Sequence, residues 1–261
     1  MGTVSCAWET KGQLHNDVVV IVAVIVAVAA LMSRQAVRGW LAVAIGMATK
    51  FVLLPAAALL AHAEVRENRW RALPAIGCCA LVLIGLFLPW WSGLETLHGP
   101  IMAMRRERGY LNGSMAQLAW GRFPKGSAVS PSAAFDAWVS VTRVVLAAGA
   151  AMVAWRVRTI DDAARAALIF GVLWLPLGVE WMLPWYGTWL VAWLPFVRGR
   201  ALQVGVVAYT AGLPWLYAPD AIERLLVAPT VILHSIPLVA VWIARRETAP
   251  GRSPFASKNA M

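Results

Sequence analysis

At 261 residues the chain has the length of one or two domains, but 60% of it is hydrophobic and only 14% is charged. A water-soluble domain carries roughly 25% charged residues, and so apolar a chain cannot cover a water-facing globule; a soluble enzyme or binding module is excluded. The net charge of +10 comes from 23 Lys and Arg against 13 Asp and Glu. Its distribution argues against nucleic acid as a partner, because the basic residues are not pooled in one patch. They form short clusters between apolar runs, at Arg34/Arg38, Arg66/Arg69/Arg71, Arg156/Arg158, Arg198/Arg200 and Arg245/Arg246. That is the signature of cytoplasmic loops in a multi-pass membrane protein.

The first apolar run covers 17–33 and is rich in Val and Ile. In water it would read as a strand, but in lipid a lone strand leaves its backbone unsatisfied, so a helix is expected, with Asp17 at its start. Asp17 has two readings, an N-cap or a polar contact at a substrate site. Run two, 39–62, carries Lys50 and Pro55 in its middle, which predicts a broken helix or a re-entrant hairpin. Lys50 itself either snorkels to the interface or has a function. Run three is 73–91, ending in Pro-Trp-Trp, and a long polar stretch, 92–136, follows. Runs four to eight are 137–155, 164–183, 189–196, 201–217 and 226–244, and a polar tail, 245–261, is expected to be disordered. The fold class is therefore all-α: a polytopic helical bundle of seven to eight apolar segments spanning 1–244, in the cell membrane. If run two returns to its own side, all five basic clusters face the cytoplasm with the tail, and the 92–136 loop faces out.

Polar groups inside a bilayer cost a few kcal/mol each, so Arg143, Glu180 and His234 need reasons as well. Arg143 and Glu180 both fall near outer helix ends and suggest an ion pair or a polar cavity. His234 reads best as a satisfied interhelical donor. The outer loop carries Arg105, Arg106 and Arg108 in the segment RRERGY. Those arginines suit bidentate phosphate binding, with an amphipathic surface segment as the plainer alternative. Cys6, Cys78 and Cys79 lack metal-ligand spacing, and no nucleotide-loop, zinc-protease or serine-hydrolase motif is present. No metal or cofactor is expected.

Two regions, 12–60 and 180–196, resemble a known family. GQLHND at 12–17 precedes AIGMATKFVLLPAAALL at 44–60, and EWMLPWYGTWLVAWLPF follows at 180–196. They resemble the GT-C glycosyltransferases that use polyprenol-phosphate sugars, above all actinobacterial polyprenol-phosphomannose-dependent mannosyltransferases and glycosyltransferase family 87. The matching positions are Gly12, His15, Asn16 and Asp17, then Lys50, Leu53, Leu54 and Pro55, then Pro184, Trp185 and Tyr186. The resemblance implies transfer of a sugar, with mannose first in line, from a polyprenol-phosphate donor to a glycan or glycolipid acceptor of the cell envelope. Substrate-binding candidates are then His15, Asn16, Asp17, Lys50, Arg105, Arg106, Arg108, Arg143, Glu180, Trp185 and Tyr186. The family's catalytic acid lies in a first outer loop that has no counterpart here. The expectation is that this chain begins partway through the family fold, with a missing N-terminal half or a partner subunit. A non-catalytic partner subunit and a lipid or solute transporter stay open as alternatives.

Overall fold

The computed structural model describes residues 3–93, 95–96, 131–178, 186–214 and 227–247. Among them all regular structure is helical: α1 (Thr3–Met32), α2 (Ala36–Thr49), α3 (Leu54–Phe87), α4 (Pro131–Arg156), α5 (Ile160–Gly178), α6 (Tyr186–Val191), α7 (Arg200–Gly212) and α8 (Val227–Glu247).

The break expected in run two falls at Lys50. Its backbone is extended (φ −151°, ψ 128°), and it separates α2 from a single 3-10 turn, Phe51–Leu53, that leads into α3. Pro55 sits in the first turn of α3, where its missing N–H costs nothing. At 1.5 Å per residue the 14 residues of α2 reach about 21 Å, short of a hydrocarbon core about 30 Å thick. The two limbs fold back on each other. Trp40 near the start of α2 donates its Nε1–H to buried Glu64 of α3, and Arg71 Nη2 donates to the Arg34 carbonyl at 3.3 Å. The run that leaves at Arg34 thus returns to Arg34.

α1 lies antiparallel against α2. A Cβ built on Gly39 would stand 2.6 Å from Leu31 Cγ, and one on Gly46 2.4 Å from Leu53 Cδ1 and 3.0 Å from Ala23 Cβ. These two glycines permit the close approach that membrane helices use in place of a hydrophobic drive. The same device joins α7 to α8, where a Cβ on Gly205 would meet Ala240 Cβ at 2.2 Å.

The turn between α4 and α5 packs at the Arg34 end. Arg66 Nη1 donates to the carbonyls of Trp155 (3.1 Å) and Val157 (3.3 Å), and Glu67 Oε1 accepts the Ile160 N–H at 3.1 Å. α5 starts on a reciprocal cap. Asp162 Oδ2 accepts the N–H groups of Arg158 and Thr159, and Thr159 Oγ1 accepts the N–H of Asp162. At the other end of the bundle, Gly187 lies against Thr210 and Leu213, so α7 starts at Arg200 on the far side from Tyr186. Three of the five basic clusters are therefore tied together at one end, and the other two point the same way.

Several boundaries differ from the sequence reading. α1 begins at Thr3 and runs through Asp17 without interruption, so Asp17 does not cap a helix. The residues ahead of it are mostly polar, with only Val4, Ala7 and Trp8 at helical spacing, and include no Pro that would stop a helix. Within the span Leu54–Phe87 two helical limbs meet at a kink at Asn68, whose backbone is non-helical (φ −159°, ψ 86°), so runs two and three are separated as the sequence reads them. Asn68 Oδ1 accepts the Arg71 N–H at 3.3 Å and starts the second limb. α4 starts at Pro131, six residues inside the stretch read as loop, because proline is preorganised for a first helical turn. α8 carries on through Arg245, Arg246 and Glu247, into the polar tail that the sequence predicts from 245. The rest of the 92–136 loop, apart from 92–93 and 95–96, and the tail beyond 247 lie outside the described residues.

Among the described residues two helical segments, Phe51–Trp90 and Ala137–Arg156, each contain an 18-residue stretch apolar enough to cross a bilayer, with mean hydropathy 2.3 and 1.7. Only 17% of each such stretch is buried within the chain, whereas a core helix of a soluble protein hides its apolar residues. Leu81, Ile84, Leu88 and Trp90 stand more than half exposed along the first. Shorter apolar helices occupy Asn16–Met32, Ala36–Thr49 and Val231–Ala244.

Candidate functional site

The antiparallel pairing of α1 and α2 carries Lys50, at the broken end of α2, to Asp17 in the middle of α1. Lys50 Nζ lies 2.5 Å from Asp17 Oδ1. The same oxygen accepts the indole N–H of Trp189, from α6, at 2.8 Å. Lys50 Nζ also stands 5.2 Å from the centre of the Trp189 ring, within cation–π range. Tyr186 stacks on Trp189 with ring centroids 4.4 Å apart and planes at 26°. One carboxylate, one ammonium and two aromatic rings, from segments up to 172 residues apart, thus form a single cluster.

Asp17 is 2% exposed. An unpaired carboxylate there would be prohibitive, and Lys50 supplies the counter-charge that makes its burial tolerable. The pairing is incomplete in one respect. Asp17 Oδ2 is buried with no hydrogen-bond partner among the described residues. Lys50 keeps a side-chain exposure of 24%, and of its three N–H donors the described residues engage one. The cluster therefore has an open acceptor on one side and open cationic donors on the other. The cavity on its apolar flank, between Val20, Val24, Phe170, Trp174, Trp189 and Trp193, is only about 50 Å³. It is too small and too apolar for a sugar ring.

The other sequence-derived candidates are placed as follows. Asn16 is exposed on α1, beside Asp17 in the chain but turned away from its buried face. His15 lies on the helical backbone two residues before Asp17, with its side chain outside the described residues. Two residues apart on a helix do not share a face. Arg143 is exposed on α4. Its expected partner Glu180 lies outside the described residues, as do Trp185, Arg105, Arg106 and Arg108. Lys50 does not merely snorkel; it holds a buried acid. Buried His234 shares a 3.1 Å hydrogen bond between Nδ1 and the hydroxyl of buried Tyr209, an interhelical contact as expected.

Sequence reasoning missed Trp189 and Glu64. In the sequence Trp189 appears only within the Trp-rich stretch EWMLPWYGTWLVAWLPF, with no role of its own. Its signal was its place three residues after Tyr186, one helical turn on. Glu64 was read as loop, although it directly follows an apolar run with no turn residue between.

The chain is 23% identical over 226 residues to alpha-(1->6)-mannopyranosyltransferase A of Mycobacterium tuberculosis. The matched region covers 80% of this chain and 43% of that protein, so the chain spans less than half the length of that relative. No family model matches the sequence, and no solved structure matches it. The distant similarity supports a relationship to glycosyltransferases.

Proposed function

We propose that this chain belongs to a multi-pass membrane glycosyltransferase of the mannosyl type, which moves a sugar from a polyprenol-phosphate donor to a glycan or glycolipid of the cell envelope. The observation that carries the reading is the convergence of Asp17, Lys50, Tyr186 and Trp189. Three of these four stand in the motifs that resemble polyprenol-phosphate-dependent enzymes, and the motifs meet at one point although they are far apart in the chain. The similarity to a mannosyltransferase supports it independently.

In this reading Lys50 turns its open N–H donors to the donor phosphate, where negative charge grows as polyprenol phosphate leaves. Asp17 Oδ2 accepts a hydroxyl of the sugar or acceptor, which relieves an orphaned buried oxygen. The Tyr186–Trp189 stack offers a flat apolar face to the ring. Arg105, Arg106 and Arg108 of the 92–136 loop bring further guanidinium forks to the phosphate from the outer side. The acceptor hydroxyl loses its proton to a carboxylate base as its oxygen attacks the anomeric carbon; no residue of this chain is assigned that role.

Asp17→Asn tests the reading, because it keeps the shape and the acceptor for Trp189 and removes the charge. Membranes carrying the variant are assayed for transfer from radiolabelled polyprenol-phosphate mannose. Transfer is expected to fall at least tenfold, a loss of about 1.4 kcal/mol of transition-state stabilisation, with normal membrane insertion. Wild-type turnover by the variant would confine Asp17 to its structural ion pair.

A further inference from the structure

The end of the molecule away from Asp17 has a second polar centre that sugar transfer does not use. A cavity of about 360 Å³ opens there between Arg34, Glu64, Glu67, Asn68 and Arg71. Arg34 and Arg71 also line the recess beside it, together with Arg38 and Val37. Arg34 holds a left-handed backbone (φ 59°), which is costly for a residue with a side chain. That conformation turns its carbonyl to the Arg71 guanidinium, so the two arginines are fixed side by side.

Glu64 feels the charge of Arg71, but among the described residues neither acid of this cavity forms a close ion pair with an arginine. Glu64 accepts the indole N–H of Trp40, and Glu67 accepts the backbone N–H of Ile160. Among the described residues the only ion pair is Lys50 with Asp17, at the opposite end. Arg38 donates to Gln35 Oε1 at 2.9 Å, a neutral acceptor. Arg34, Arg38 and Arg71 are all exposed and line one recess, with most of their donors uncommitted among the described residues. Such forks match the oxygens of a phosphate.

What distinguishes a lipid phosphate from a free one is the surface leading away from the opening. Val37, Leu41 and Ile45 follow at four-residue spacing along α2 and are 55%, 38% and 54% exposed. That spacing puts them on one helical face, an apolar track starting beside Arg38. We infer that this end binds an anionic phospholipid, with its phosphate held by Arg34, Arg38 and Arg71 and an acyl chain along Val37, Leu41 and Ile45. The inference rests on the reading of the chain as membrane-embedded and is independent of the sugar-transfer site.

Native mass spectrometry of the detergent-purified full chain provides the test, with phosphatidylglycerol and phosphatidylcholine of identical acyl chains as probes. The wild type should retain phosphatidylglycerol at least tenfold more tightly. Arg34→Gln with Arg38→Gln should cut that preference at least fivefold, whereas Arg156→Gln with Arg158→Gln, an equal charge loss on exposed arginines outside the cavity, should leave it. Arg71→Lys, which keeps the charge and removes the fork, is the milder variant should the Gln pair fold poorly, and it too should lower the preference. Equal retention of the two lipids, or equal loss in the Arg156/Arg158 control, would overturn the site. Displacement of the lipid by soluble glycerol phosphate at matched concentration would make it a free-phosphate site instead. Alkaline extraction of the chain from membranes would defeat the membrane reading itself, an outcome separate from these.

Discussion

Replacing Lys50 with Met removes the cation from a buried carboxylate. Asp17 is 2% exposed, and its remaining described partner is the Trp189 indole N–H. Breaking a fully buried pair from one side costs about 3–5 kcal/mol. Lys50 retains 24% exposure, so part of its charge is already solvated and the pair is worth less than the fully buried case. The expected loss for Lys50→Met is therefore about 2–3 kcal/mol. Asp17→Asn leaves the lysine able to swing its charge outward and should cost about 1 kcal/mol. The double variant should cost little more than Asp17→Asn alone, a coupling of at least about 1.5 kcal/mol. Equilibrium unfolding in mixed micelles measures all four proteins. Equal losses for the two single variants, or additive losses in the double, would refute the claim that Lys50 exists to compensate a buried acid.

Trp40→Phe removes the donor to buried Glu64 and should destabilise by about 1–3 kcal/mol, while Glu64→Gln keeps an acceptor and should cost less than about 1 kcal/mol, as read by the same unfolding assay. Gly205→Ala forces a methyl group into Ala240 and should cost about 1–3 kcal/mol. Adding Ala240→Gly should restore most of that loss, because the clash is between those two Cβ positions. Reporter fusions should show residues 110–125 outside the cell and the position after Arg246 in the cytoplasm; an external signal from the second fusion would invert the topology.

Much of the fold was legible because lipid removes choices. Apolar runs had to be helices, and a lysine with a nearby proline in the middle of run two had to mark an interruption; the break falls at Lys50 itself. Helix ends were less legible. In TVSCAWETKGQLHN only Val4, Ala7 and Trp8 fall at i, i+3, i+4 spacing and Gly12 interrupts the pattern, so the polar first half of α1 carries a weak signal, and with it the fact that Asp17 is mid-helix and cannot be a cap. The candidate site was legible in part. Asp17, Lys50 and Tyr186 were singled out one by one, but that Asp17 and Lys50 are partners depends on the antiparallel return of α2, which Gly39 and Gly46 permit. Trp189 was hidden by abundance, since the chain has 15 tryptophans and an interfacial role accounts for most of them equally well.

The most direct measurement of the central claim is to locate the donor on the chain. A photoreactive polyprenol-phosphate mannose, with its diazirine on the first isoprene unit, is crosslinked in membranes and the labelled peptides are mapped by mass spectrometry. Labelling should concentrate on the peptides that carry Asp17, Lys50 and Tyr186–Trp189, and excess unlabelled donor should abolish it. Labelling confined to other peptides, or labelling that unlabelled donor does not compete away, would contradict a donor site at the Asp17–Lys50–Trp189 cluster.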